Sequence, residues 1–134
     1  MYHSILYATD LNDEHTCLAE KAAKLAKQLQ AKLYLLHVIE LPASIQLAQG
    51  LGFTELVKPA KDDAITVLSL LGDSLGIPSA QQFVEIGSVK EHILQKTQEL
   101  SCQLIILGKH SSLLGGTSHA VTNHAPCDVL ILRT

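Results

Sequence analysis

Two glycine-containing segments near the C-terminal end of the chain carry residue types that can hold a phosphate or another small anion. Gly108 follows an apolar run, and Gly115-Gly116-Thr117 immediately precedes a short helical pattern. Glycine lets backbone N–H groups come close to an anion, and a hydroxyl at a helix N-terminus can complete such a contact. The residues at 115–117 fit equally well a turn and a helix cap that hold no ligand.

A carboxyl group stands at the end of the first apolar run of the chain. Asp10 follows residues 5–9, and Asn12 and Asp13 come shortly after it as candidate caps of the next helix. An acidic side chain at a strand end can contact a ligand or cap the helix that follows. The residues leave both uses of Asp10 open.

The histidines and serines show no pattern of a metal centre or a catalytic nucleophile. Of the seven histidines, His110, His119 and His124 lie near one another, yet no pair among them has the i, i+4 spacing of a helical zinc site. The chain also lacks the Gly-x-Ser-x-Gly sequence that presents a nucleophilic serine. We therefore predict no metal site and no catalytic residue.

Five apolar runs, which alternate with helical patterns, must position these groups. The predicted strands are residues 5–9, 33–38, 82–86, 103–107 and 129–132. The predicted helices, with apolar residues three or four apart, are residues 18–29, 64–75, 89–100 and 118–124. Residues 41–60 are predicted to be a loop, with or without a short helical turn. Because parallel strands need a crossover connection, this alternation predicts a doubly wound α/β fold with helices on both faces of a parallel sheet.

In such a sheet, ligands bind beyond the carboxyl ends of the strands, where the strand order reverses. The residues expected at those ends are Asp10, His37-Val38, Gly87 and Gly108. This edge of the sheet is therefore the predicted binding site.

Length and composition restrict the class of protein. The chain has 134 residues, 47% of them hydrophobic, no tryptophan and a net charge of −3. That length suits one domain, residues 1–134, and the balance of charge argues against nucleic acid as a partner. The apolar runs are too short to span a membrane, and the first residues do not resemble a signal peptide. Three widely spaced cysteines favour buried, reduced thiols in a cytoplasmic protein; they are Cys17, Cys102 and Cys127.

Taken in order, several short segments resemble the universal stress protein family over essentially the whole chain. The most specific is the C-terminal part, Gly116 to Val121 followed by His124 to Leu132. Ile5 to Asp10, Leu35 to Val38, Ile86-Gly87 and Leu104 to His110 also match. The resemblance implies a five-stranded sheet of order 3-2-1-4-5, the adenine nucleotide α-hydrolase-like fold. It also implies candidate nucleotide-binding residues, namely Asp10, Val38, Gly108, Gly115, Gly116 and Thr117.

The phosphate loop departs from the pattern of the family's nucleotide-binding branch. Ser111 stands where that branch has its second glycine, and four residues separate it from Gly116 instead of nine. This departure points to the universal stress protein A branch, which dimerises without a full phosphate loop. The dimer interface implied by the resemblance is the last strand, Val129-Leu130-Ile131-Leu132.

Three hypotheses about function follow. The first is a non-enzymatic, homodimeric stress-response protein that binds ATP weakly or not at all. The second is a protein that binds ATP or AMP with magnesium and slowly hydrolyses ATP or transfers phosphate. The third is a dimeric scaffold without a ligand. The incomplete loop favours the first hypothesis.

Overall fold

A computed structural model describes residues 1–11, 15–40, 44, 47, 51, 58–108 and 116–133, with the backbone alone at 15, 116 and 117. The strands are β1 (Ser4–Ala8), β2 (Lys32–Ile39), β3 (Gln82–Ile86), β4 (Leu104–Gly108) and β5 (Asp128–Leu132). The helices in this part of the chain are α1 (His15–Gln28), α2 (Lys58–Leu75), α3 (Val89–Glu99) and α4 (Gly116–His124). A 3₁₀ turn, Ser79–Gln81, leads into β3.

The five strands form one parallel sheet in the order β3-β2-β1-β4-β5. The chain adds β2 and β3 on one side of β1 and then places β4 and β5 on the other side. The predicted parallel, doubly wound sheet and its strand order are therefore confirmed. The order reverses at β1, so the carboxyl end of β1 lies at the centre of the expected binding edge.

Side chains that alternate along the strands build a separate core on each face of the sheet. The first core joins Ile5 and Tyr7 of β1 to Leu18 of α1 and Leu68 of α2. The second core joins residues of β1, β2 and β4 to α3 and α4; its buried members are Leu6, Ala8, Leu36, Val38, Ile93, Cys102, Ile105, Leu107 and Val121. Among the described helices, two therefore cover each face, and the predicted placement of helices on both faces of the sheet is confirmed.

Helix α2 differs from its prediction in two respects. It begins at Lys58, so residues 58–60 are helical rather than part of a loop. Pro59 is compatible with this start, because proline fits the first turn of a helix, where its missing N–H is not needed. Val67, which lies three residues after Ala64 and four before Leu71 and is predicted by that spacing to be buried, is 40% exposed. The buried face of α2 is centred instead on Leu68, Leu71 and Gly72.

The three cysteines also differ in burial. All of them lie in the described part of the chain as free thiols, but only Cys102 is buried, while Cys127 is half-buried and Cys17 is exposed. The prediction that Cys17 is buried was wrong, because Cys17 lies on the outer side of α1 beside the buried Leu18. Among the described helices, none combines the length and apolar character that a membrane span requires.

Candidate functional site

A cavity of about 150 Å³ opens at the carboxyl ends of β1 and β2. Its apolar lining comes from β1, β2 and the first turn of α3, and two carboxyl groups and a threonine complete it. The lining residues are Ala8, Thr9, Asp10, Leu36, Val38, Glu40 and Val89. A dry protein cavity of similar volume accepts a benzene ring, so this space suits one flat aromatic group.

The alternation of β2 determines which of its groups reach the cavity. Leu36 and Val38 both belong to the second core, on the α3 side of the sheet. Glu40 follows Val38 by two residues and lines the same cavity. The strand thus supplies an apolar floor and ends in a carboxylate.

The main chain of Val38 faces the gap beyond the end of β1. On the β1 side, the Leu36 carbonyl oxygen accepts a hydrogen bond from the Thr9 N–H at 2.9 Å. On the β3 side, the Ile39 carbonyl oxygen accepts a hydrogen bond from the Gly87 N–H at 2.9 Å. Successive residues of a parallel strand direct their main-chain groups to alternate sides. The N–H and C=O of Val38 therefore point to the β1 side of β2. At this level β1 has already ended, since its last residue, Ala8, pairs with Leu36.

Hydrogen bonds around Thr9 fix the path by which the chain leaves β1. His37 donates from Nδ1 to the Thr9 carbonyl oxygen at 2.8 Å, and the Leu11 N–H donates to Thr9 Oγ1 at 3.1 Å. Leu11 has a φ of 57°, which is costly for a residue with a side chain. This turn places Asp10 on the rim of the cavity.

The connection from β3 to α3 forms the opposite wall. Gly87 has a φ of 143°, and a Cβ there would lie 2.9 Å from His92 Nε2, which itself donates to the Ile86 carbonyl oxygen at 3.1 Å. Ser88 caps α3, its Oγ accepting from the Glu91 N–H at 3.4 Å, and the sequence Ser88-Val89-Lys90-Glu91 fits a capping box. Together these contacts hold Val89 against the cavity.

The candidate residues from the sequence fall into two groups at this edge of the sheet. Asp10 and Val38 line the cavity. Gly108 is the buried last residue of β4, and Gly116 and Thr117 begin α4, on the β4–β5 side of the sheet. Gly115 lies outside the described residues, as do Lys109, His110 and Ser111.

The ionisable side chains that line the described cavity are both acidic. Asp10 and Glu40 contribute carboxyl groups, and no lysine or arginine of the described residues lines it. Among those same residues there is also no group of three histidine, cysteine or acidic side chains placed to hold a metal ion. The cavity is therefore suited to a ligand that presents hydrogen-bond donors.

Comparison with known proteins assigns the chain to a family. The model of the universal stress protein family matches residues 1–133. The chain belongs to the universal stress protein family. Universal stress protein A homolog 2 of Coxiella burnetii is 34% identical over 139 residues, which cover 98% of this chain and 95% of the relative.

Solved structures of universal stress proteins share the fold. One, crystallised in complex with cAMP, has a TM-score of 0.72 at 17% identity and covers 98% of this chain and 97% of its own. UspA from Lactobacillus plantarum has a TM-score of 0.67 at 24% identity, with 98% of both chains covered. At these identities the similarity supports the fold alone.

Sequence reasoning about this universal stress protein missed Glu40, Thr9 and Val89 as lining residues. A signal for Glu40 was available, because it continues the alternation of Leu36 and Val38 by two residues. Val89 could not be found in this way. Its place in the cavity depends on how α3 packs across the sheet.

Proposed function

We propose that this universal stress protein acts by binding a small adenine-type ligand, of the size of AMP, and by homodimerising, without catalysis and with weak ATP binding. The observation that carries the proposal is the cavity at the carboxyl ends of β1 and β2. Its volume suits one flat aromatic group, and it lies where ligands bind in open α/β sheets. A structural neighbour with the same fold was crystallised in complex with cAMP, a ligand of the same class.

Weak ATP binding follows from the charge of the cavity and the length of the phosphate loop. The described lining carries two carboxyl groups and no lysine or arginine, so it offers no positive charge to additional phosphates. Between Ser111 and Gly116 there are four residues, five fewer than in the nucleotide-binding branch that the sequence resembles. This shortening removes up to ~17 Å of extended chain. A loop with fewer N–H groups holds a triphosphate poorly, whereas Gly116 and Thr117 at the start of α4 suffice for one phosphate.

Homodimerisation through β5 is the second part of the proposal. In the described sheet, β5 pairs with β4 alone and is a terminal strand. Ile131 is 43% exposed, and Val129, Leu130 and Leu132 are half-buried. An apolar edge strand without a lysine or a proline tends to pair with another strand. A two-fold β5–β5 contact would bury that edge.

The proposal takes residues 1–134 as one domain located in the cytoplasm. Support for this location comes from the cysteines: Cys17, Cys102 and Cys127 are all free thiols, as is usual in a reducing compartment.

Calorimetric titration with AMP, ADP and ATP in magnesium buffer tests the binding function. We expect AMP to bind and ATP to bind no more tightly than AMP, with no phosphate released on prolonged incubation. Asp10→Asn should weaken AMP binding, whereas Asp73→Asn on the exposed side of α2 should leave it unchanged. Affinity that rises steeply from AMP to ATP, or steady phosphate release, would favour the slow hydrolase instead.

A further inference from the structure

We propose, on the basis of the binding function above, that Glu40 strengthens the specificity of this site for an aminopurine base. Its carboxylate accepts a hydrogen bond from the exocyclic amino group of an adenine base. The site therefore distinguishes an aminopurine from its deaminated, 6-oxo counterpart. Glu40 has this role because of its place in the cavity, at the end of β2.

The strand order places the groups of the site in sequence across the edge of the sheet. Glu40 follows β2, Asp10 follows the adjacent β1, and Gly108 ends β4 on the far side of β1. Neighbouring strands lie about 4.8 Å apart, so the ends of β2 and β4 are separated by about 10 Å. A nucleoside phosphate whose phosphate lies at the β4–α4 side has its ribose near Asp10 and its base at the β2 end.

The base at the β2 end lies between an apolar floor and two kinds of acceptor. Leu36 and Val38 offer the apolar surface that a purine ring covers. The Val38 main chain directs one N–H and one C=O toward the same gap, and these match a ring nitrogen acceptor and one amino hydrogen of adenine. The second amino hydrogen is then left for another acceptor, and Glu40, two residues beyond Val38 in the same lining, is placed to provide it.

The chemistry of a carboxylate makes this contact selective. An ionised carboxylate accepts hydrogen bonds and cannot donate them. A 6-oxo purine would place its carbonyl oxygen against Glu40, where two acceptors repel each other. Since Glu40 is exposed to solvent, the discrimination is moderate, about tenfold, rather than the larger factors seen in fully enclosed sites.

Titration of the full chain with three nucleosides tests this role. Adenosine carries the amino group, purine riboside lacks it, and inosine replaces it with oxygen. We expect the wild-type protein to bind adenosine at least about tenfold more tightly than either analogue. Glu40→Gln, whose amide can donate to the inosine oxygen, should lower the adenosine-to-inosine ratio at least about threefold below that of the wild type, and Glu40→Ala should bring adenosine and purine riboside closer together. The Val38 main chain keeps the remaining preference for adenosine in both variants. Glu20→Gln, on the exposed side of α1, makes the same change of charge and should keep the wild-type ratios.

The possible failures of this experiment are distinguishable. Wild-type protein that binds adenosine and inosine equally, or Glu40 variants that keep the wild-type ratios, would overturn the role of Glu40 and leave the proposed binding function standing. Wild-type protein that binds AMP but no nucleoside at millimolar concentration would also overturn it, since base contacts would then contribute too little. Absence of binding by every nucleoside and by AMP would overturn the proposed function, and the role of Glu40 with it.

Discussion

The side-chain amide of Gln82 fills the space beside the Cα of Gly72. A Cβ on residue 72 would lie 2.0 Å from Gln82 Nε2 and 2.6 Å from its Cδ. The same Nε2 donates a hydrogen bond to the Ile77 carbonyl oxygen at 2.9 Å, and the Ile77 N–H donates to the Gly72 carbonyl oxygen at 2.8 Å. These contacts connect the end of α2 to the start of β3.

Gly72→Ala should therefore lower the free energy of unfolding by about 1–2 kcal/mol. The new methyl group displaces the Gln82 amide and leaves its acceptor unsatisfied, and the better helix propensity of alanine offsets only part of that cost. Urea denaturation of Gly72→Ala, Gln82→Ala and the double variant measures the coupling. In the Gln82→Ala background the alanine at 72 should be neutral or stabilising.

Gly76→Ala provides the comparison for this cycle. Residue 76 has a φ of +72°, but apart from its chain neighbours no atom of the described residues lies within 4 Å of the position of its Cβ. Gly76→Ala should lower the free energy of unfolding by about 1 kcal/mol through backbone strain, and by the same amount with Gln or Ala at residue 82. Equal costs of Gly72→Ala in the two backgrounds would contradict the contact with Gln82.

Tyr7 should make stability fall at alkaline pH. The ring is 1% exposed, and burial raises the pKa of its hydroxyl to about 12 from the usual 10. The folded state thus favours the neutral phenol, so its contribution is complete below pH 10 and is lost as the pH rises toward 12. Between pH 9 and pH 11.5 the loss should be about 2 kcal/mol.

Urea denaturation of the wild type and Tyr7→Phe over that pH range isolates the tyrosine, because all other groups titrate in both proteins. The wild type should lose stability more steeply with pH than the variant. Parallel stability curves would show that Tyr7 ionises equally easily in the folded and unfolded chain.

Ile131→Lys should convert the proposed dimer into a monomer. The lysine would place a charge on the exposed side of β5, where two copies of the strand would meet. Leu70→Lys is the matched control, since Leu70 is 66% exposed on α2, away from β5. Light scattering at micromolar concentration should give a dimer for the wild type and for Leu70→Lys. A monomeric wild type, or a dimeric Ile131→Lys, would contradict an interface through β5.

The three thiols should react with iodoacetamide at different rates in the native protein. Cys17 is exposed, whereas burial and the nearby Cys127 raise the pKa of the Cys102 thiol to about 11. Burial and the Asp128 carboxylate also raise the pKa of the Cys127 thiol. Because the thiolate is the reactive form, Cys17 should be modified at least about tenfold faster than Cys102 at pH 8, as read by peptide mass mapping. The difference should disappear in denaturant, and equal native rates would contradict it.

The sequence by itself determined the elements of this protein and the face that each strand turns to a core. The run from Ile5 to Ala8 is continuously apolar because β1 is buried on both faces of the sheet. A continuous apolar run of this length can be recognised in the sequence without any knowledge of distant contacts. Gly76 indicates the end of α2 because the residue after the helix has a positive φ, a conformation that glycine adopts easily. The strand order was also available, though through the resemblance of several motifs to a known family rather than through periodicity.

Tertiary structure alone decided which side chains meet. Cys17 and Val67 have the apolar character of core residues, yet the rotation of each helix against the sheet leaves them exposed. Val89 reaches the cavity because β3 pairs with β2 in a register that puts Ile86 beside Ile39 and brings α3 over the strand ends. Contacts between residues far apart in the chain depend on packing angles and strand register, which local spacing does not encode.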